Sequence, residues 1–325
     1  MASHLSEPDG RRGARRPARR PARRGGVVPL VIALVLLLAG GALLIAPSVV
    51  AIVQQQEMER ALDAHREEVV EDEGATGDSD AQFRSKENDP TYQKLVEYNE
   101  AVREGTGDTI NDPFAFSGED LAELGLPDGI IGSIDIPSMG VSLPLYLGAT
   151  YDNMAHGATV IAGTSMPIGG ESNCVIAGHR GVWYGVPIFR DIEQMKVGDT
   201  LTITTPWDVL TYRAYETCVI DPSDVDAVRV QPGRDLVTLF TCHPYGHNYQ
   251  RYLVYCERVD NAEAQPASSS AERVVRAFLP APAADSPELT VEFVLKLVGL
   301  ALFVVVAVML VVTIARRARR RPRRE

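Results

Sequence analysis

One cysteine, one histidine and one arginine are placed along this chain in a way that suggests nucleophilic acyl chemistry. The run Asp235-Leu-Val-Thr-Leu-Phe-Thr-Cys242-His-Pro-Tyr-Gly is followed, nine residues after the cysteine, by Arg251. Residues 236–241 are apolar, β-branched or aromatic, the composition of a buried strand, and Pro244 and Gly246 then break any regular structure. The thiol therefore belongs at the rim of a sheet. Upstream, Cys174-Val-Ile-Ala-Gly-His179-Arg-Gly repeats the pattern, a short apolar strand that delivers a histidine just before a glycine turn. A thiolate attacks carbonyl carbon well and leaves well, so this pair suits acyl transfer through a thioester. His179 would give a proton to the leaving amine and later take one from the incoming nucleophile. Arg251 opens a second strand, 251–258, which a tight Pro-Tyr-Gly turn returns alongside the first. Its guanidinium would then face the thiol and stabilise a developing oxyanion or hold the substrate backbone. Cys242, His243 and His247 also form a rival metal set, but their i, i+4 histidine spacing suits a helix, which Pro244 and Gly246 oppose. The acyl chemistry needs no metal or organic cofactor.

From residue 129 the chain is written in short strands punctuated by glycine and proline: GIIGSIDIPSMGVSLPLYLG, ATVIAGT, SNCVIAGHRG, DTLTITTPWDVLTYRAYETCVI, LVTLFTC and RYLVYCERV. Many short strands with such punctuation, no βαβ alternation and no internal repeat imply a mainly β sandwich or closed barrel. One amphipathic helix is expected over 90–105, where apolar residues at 92, 95, 96, 98 and 102 keep near-helical spacing and Gly105 and Gly107 end the run. The segment 54–89 begins helical and turns acidic, as a stalk would. Residues 261–290 are Ala/Pro/Ser-rich with a short helical stretch near 271–279, which suggests a second stalk.

Both ends carry membrane signals. Residues 27–53 contain no charge, and about 20 apolar residues span a bilayer as a helix. A second apolar segment, within 291–315, has one charge, Lys296, near its end. A cleaved signal peptide is the alternative for the first, but the uncharged stretch exceeds a usual signal core. Eight arginines precede the first segment (1–26) and seven follow the second (316–325), and arginine marks the cytoplasmic side. Both termini are therefore expected in the cytosol, with the body outside a two-pass cell-membrane protein in contact with lipid. Between the spans stand 16 basic against 39 acidic residues, a net charge of about −23 that the whole-chain value of −11 conceals. Such a surface repels phosphate, so nucleic acid is excluded as a partner. Four cysteines lie in this outer part; Cys242 must stay free to react, a bridge between Cys218 and Cys256 is left open, and buried small hydrophobes are the leading reading of the rest.

The TLFTC of 238–242, Arg251 nine positions on and His179 in an AGHRG turn resemble the sortases, membrane-anchored cysteine transpeptidases of Gram-positive bacteria. The resemblance covers about 90–260. GTSMPIGG at 163–170, CHPYGHNYQR at 242–251 and the second apolar segment are similar to class C, the pilus-assembling members. It implies an eight-stranded β-barrel over 129–260 with a few short helices, flanked by two transmembrane helices, and His179, Cys242 and Arg251 as catalytic triad. It also implies an N-terminal lid within 90–128, where Asn111-Asp112-Pro113-Phe114 matches an Asp-Pro-aromatic motif that plugs the site. Asp112 would pair with Arg251, Phe114 would cover the thiol and Pro113 would stiffen the loop, although many relatives carry tryptophan in place of Phe114. The implied reaction is cleavage of an LPXTG-like sorting signal between threonine and glycine, with transfer of the acyl group to a lysine of a pilin subunit. A housekeeping sortase that anchors surface proteins to the cell wall, and a non-catalytic extracellular barrel, are the alternatives.

Overall fold

The computed structural model describes residues 28–72, 83–105, 116, 118–126, 128–181 and 188–319. Eight strands follow the punctuation seen in the sequence: β1 (Ile130–Ile136), β2 (Val141–Leu147), β3 (Ala158–Val160), β4 (Ser172–Ala177), β5 (Thr200–Thr204), β6 (Val209–Ile220), β7 (Asp235–His243) and β8 (Gln250–Val259). They close into a barrel in the order β1-β2-β3-β4-β7-β8-β6-β5, with β5 returning to β1. The pairs β2/β3 and β4/β7 are parallel and the others antiparallel. Gly132 lies at an irregularity of β1 with φ 153°, and a Cβ there would sit 2.1 Å from the Thr204 carbonyl, so only glycine lets β1 and β5 meet.

Strand alternation sorts the apolar residues into two layers. Cys174 and Ile176 of β4, Val237 and Leu239 of β7, and Tyr252, Val254 and Cys256 of β8 fill the barrel interior with Ile134, Leu145 and Ile203. Their sequence neighbours Val175, Ala177, Phe240, Leu253 and Tyr255 form a smaller cluster on the outer face, joined by Ile161, Val228 and Ile220. Burying one such aliphatic side chain contributes about 1.5–3 kcal/mol, so the outer cluster is a built floor and not incidental surface.

Among the described residues six α-helices accompany the barrel: α1 (Val28–Asp72), α2 (Pro90–Glu104), α3 (Gly118–Glu123), α4 (Tyr151–His156), α5 (Ser270–Phe278) and α6 (Pro287–Arg319). The expected helix over 90–105 is α2. Asp89 caps it by accepting from the Thr91 and Tyr92 amides at 2.8 and 3.1 Å, and Gly105 ends it in the left-handed region. It docks by burying Leu95 and by the Asn99 side chain, which donates to the Met166 carbonyl and accepts from its amide. The helix expected near 271–279 is α5, with a capping box between Ser269 and Glu272.

Among the described residues one helix is long and apolar enough to cross a membrane without a break, Pro287–Arg316 within α6, and none of its apolar window is buried. The first apolar segment is bent by 47° between Val28–Leu43 and Ser48–Met58. The two helices touch where Gly41 faces the Phe303 ring. The stretch 261–290, expected from composition to be a stalk, instead lies against the barrel: Ala283, Ser286 and Leu289 are buried, and Gln194 Nε2 donates to the Pro282 carbonyl at 2.9 Å.

Candidate active site

Cys242 is the penultimate residue of β7 and pairs directly with Arg251 on β8. Side chains of paired residues share a face, and Phe240, two residues before Cys242, lies on that same outer face. The Arg251 guanidinium is 6.0 Å from the Phe240 ring centroid. Its Nη1 donates to the Asn248 and Gln250 carbonyls at 3.0 and 2.8 Å, which anchors the guanidinium over the turn.

His179 reaches the same place from β4, the parallel neighbour of β7, whose Ala177 pairs with Phe240. The turn that carries it is tied to the nucleophile strand twice. Thr241 Oγ1 donates to the Gly178 carbonyl at 2.6 Å, and the Gly178 amide donates to the Phe240 carbonyl at 3.3 Å. On its far side the His179 carbonyl accepts from the Phe189 amide at 2.9 Å. A Cβ at position 178 would lie 2.9 Å from the Phe189 ring, so the glycine of the AGHRG turn is there to let that ring pack beneath it. Burial lowers the His179 pKa from its ordinary value near 6.5, which leaves the imidazole neutral at pH 7.

The three residues line one cleft of about 440 Å³. Its floor is the outer cluster, with Ala177, Phe240 and Val175, and its far wall comes from the end of β6 at Ile220 and from Val225 and Val228 of the β6–β7 connection. The mostly apolar lining, with a thiol, an imidazole and a guanidinium at one end, suits an extended apolar peptide segment with one carbonyl presented to sulfur.

The rival metal set is not assembled. His243 turns into the barrel, where its Nδ1 accepts from Arg180 at 2.9 Å, and His247 Nε2 faces Glu288 at 3.3 Å. All four cysteines are free, so Cys218 and Cys256 are not bridged. Burial raises the pKa of Cys174 and Cys256, which keeps them as inert thiols of the interior. The lid residues Asp112, Pro113 and Phe114 lie outside the described residues, as do most of the arginine tails. Two elements flanking the lid segment are described: Gly105 at the end of α2, and Phe116, whose ring packs 5.9 Å from that of Tyr98. Sequence reasoning missed the partners behind the site, namely Thr241, Arg180, Glu193 and Ser286.

A closed eight-stranded barrel with a cysteine–arginine pair on adjacent strands and a histidine from the parallel neighbour defines a β-barrel protein built around a single thiol site. The Sortase domain matches residues 134–259, which contain all three residues. The chain therefore carries a sortase domain over these residues. It is similar to sortase C1 of Streptococcus agalactiae (TM-score 0.53, 26% identity, 62% of this chain and 97% of that one) and to sortase C of Streptococcus pneumoniae (TM-score 0.51, 27% identity, 62% and 97%). Both are class C members, which is where the structural likeness falls. Sortase A of Bacillus anthracis is 30% identical over 125 residues, 38% of this chain and 58% of that protein. The chain spans less than two thirds of the length of the curated relatives it matches, between 57% and 63% in each case.

Proposed function

We propose that the protein is a class C sortase that cleaves an LPXTG-like sorting signal between threonine and glycine and transfers the acyl part to a lysine of a pilin subunit. The observation that carries this reading is the convergence of Cys242, Arg251 and His179 at one end of an apolar cleft within the Sortase domain. The pilin substrate is supported by the likeness to the S. pneumoniae sortase C, whose structure bears on pilin substrate specificity.

The steps follow from the groups present. The neutral His179 imidazole takes the Cys242 proton as sulfur attacks the threonine carbonyl carbon. Arg251 N–H groups meet the oxygen that becomes negative, an interaction stronger in the transition state than in the ground state. The C–N bond breaks, the imidazolium returns its proton to the leaving glycine amine, and a thioester to Cys242 remains. A lysine amine then attacks that carbonyl and gives up its proton to the imidazole. The thiolate leaves, regains the proton, and an isopeptide bond results.

Anchorage fits this work. The apolar α6 can hold the catalytic body at an outer membrane face, and a second crossing by the bent N-terminal segment would place both arginine tails in the cytosol. Substrates tethered to the same membrane then meet the cleft at raised effective concentration. Asp112 and Phe114 act as a lid over the cleft in this reading.

Intact mass of the full chain in nanodiscs, after incubation with an LPXTG-type peptide, tests the chemistry. A thioester adduct that Cys242→Ala abolishes is the expected result. Absence of an adduct in both the parent and an Asp112→Ala chain overturns the reading. Adding a pilin-derived lysine peptide or a cell-wall amine separates pilus assembly from the housekeeping alternative.

A further inference from the structure

Cys242 and His179 face the outer cleft, and the residues that follow each of them face the opposite way. His243 and Arg180 turn into the end of the barrel, both buried, and Arg180 Nη1 donates to His243 Nδ1 at 2.9 Å. The two strand ends that hold the thiol and the imidazole outside are thus joined inside by one directional bond. That bond also assigns the His243 proton to Nε2, because Nδ1 is the acceptor.

The Arg180 side chain has no exposed area, and a charge so placed must be matched by fixed acceptors. Its Nη2 donates to Glu193, whose side chain is 2% exposed, and also to Ser286 Oγ at 3.1 Å. Ser286 Oγ donates in turn to Glu193 Oε1 at 2.6 Å. The other carboxylate oxygen, Oε2, is buried without a hydrogen-bond partner among the described residues. The Ser286 hydroxyl is therefore a large share of what holds Glu193, and through it Arg180, in place.

Ser286 is not a barrel residue. It immediately precedes α6, and the chain around it is pinned beneath the β7–β8 turn. The Ala281 amide donates to Asp191 Oδ1 at 3.1 Å, and the Tyr245 hydroxyl, three residues beyond the thiol, donates to Glu292 Oε2 at 3.1 Å.

We infer that the chain entering the C-terminal apolar helix is a working part of the active site: Ser286, acting through Glu193, Arg180 and His243, positions the Cys242 thiol against the His179 imidazole. These four are positioning residues, since none of them touches the cleft. The turnover arm of the test rests on the sortase reading, and the alkylation arm does not.

The experiment uses the full chain in nanodiscs and the variants Ser286→Ala, His243→Leu and His243→Asn. Turnover of an LPXTG-type peptide, the rate of Cys242 alkylation by iodoacetamide and the unfolding midpoint are measured for each. A misplacement near 1 Å costs up to about a hundredfold in rate. Ser286→Ala and His243→Leu are expected to lower kcat about tenfold at unchanged KM and to slow alkylation at least threefold. His243→Asn keeps an acceptor near the Nδ1 position and is expected to stay within about twofold of the parent. Parent-like kcat in Ser286→Ala, or equal losses in His243→Asn and His243→Leu, overturns the inference. If neither the parent nor an Asp112→Ala chain turns over peptide, the sortase reading fails and alkylation decides alone: slower in Ser286→Ala sustains the positioning role, and equal rates sink it.

Discussion

Thr241→Val isolates the hydrogen bond that sets His179 beside Cys242. Valine keeps the shape of threonine and removes only the hydroxyl, which donates to the Gly178 carbonyl at 2.6 Å in a fully buried setting. An abandoned buried acceptor costs about 1–3 kcal/mol, and at about 2–4 °C per kcal/mol for a domain of this size the unfolding midpoint should fall by roughly 4–8 °C for a central 2 kcal/mol. The paired control is Thr238→Val, three residues earlier on β7. There the hydroxyl donates to Asn173 Oδ1 at 2.8 Å, again between β4 and β7 and again buried, so the stability loss should be similar. The two differ in what they hold. The Gly178 carbonyl belongs to the peptide unit that launches His179, whereas Asn173 is far down the strand pair. Thioester formation, measured well below both midpoints, should drop about tenfold in Thr241→Val and stay near the parent rate in Thr238→Val. Equal thioester rates in the two variants would refute the claim that this bond positions the imidazole.

Three further outcomes are expected. His179 and His243 both have lowered pKa values, the first through burial, the second through burial and then the Arg180 charge, with Glu193, Asp285 and Glu288 opposing. Below about 6.5 the unfolded chain binds protons that these folded imidazoles refuse, so stability is retained above that value and lost as pH falls through it; unfolding midpoints from pH 8 to 5 should decline, and less steeply in His243→Asn. Gly178→Ala forces a methyl against the Phe189 ring, 2.9 Å from the new Cβ, and should cost about 1–3 kcal/mol in denaturant titration. Asp112→Ala should speed iodoacetamide alkylation of Cys242 several-fold if the lid gates the thiol, and unchanged rates would remove the gate.

The strands, and the placement of the three candidate residues at their ends, were legible because each strand carries a local signal. TLFTC and SNCVIAGHRG are apolar runs that end in turn-formers, and strand alternation then dictates that Phe240 and Cys242 share a face. The helix over 90–105 was legible for the same reason, with period and stop both written in place. The meeting of His243 with Arg180 has no such signal: 63 residues separate them, and only closure of the parallel β4/β7 pair brings them together. His243 invited a metal reading because its neighbours include Cys242 and His247, and the same alternation that presents the thiol turns His243 the other way. The segment 261–290 was misjudged because Ala, Pro and Ser specify little by themselves. Its docking is decided by Ser286 and by backbone groups such as the Pro282 carbonyl, which composition does not reveal. Thr241 was readable as a strand residue, but its bond to Gly178 depends on a register that no local pattern encodes.

The return of β5 onto β1, with Ile134 opposite Ile203, closes the sheet in strand order, while β6 runs on past the end of β5 to Ile220. Away from that overhang, an extended peptide therefore finds no ladder of unpaired amides to join. In the proposed sortase activity the substrate is then gripped mainly by side chains on the apolar outer wall, in contrast to proteins that capture peptides by strand addition. Backbone N-methylation of the sorting signal away from the scissile bond should then be tolerated far better than loss of the apolar side chains that fill the cleft. The same closure limits sheet-to-sheet association between copies of this chain.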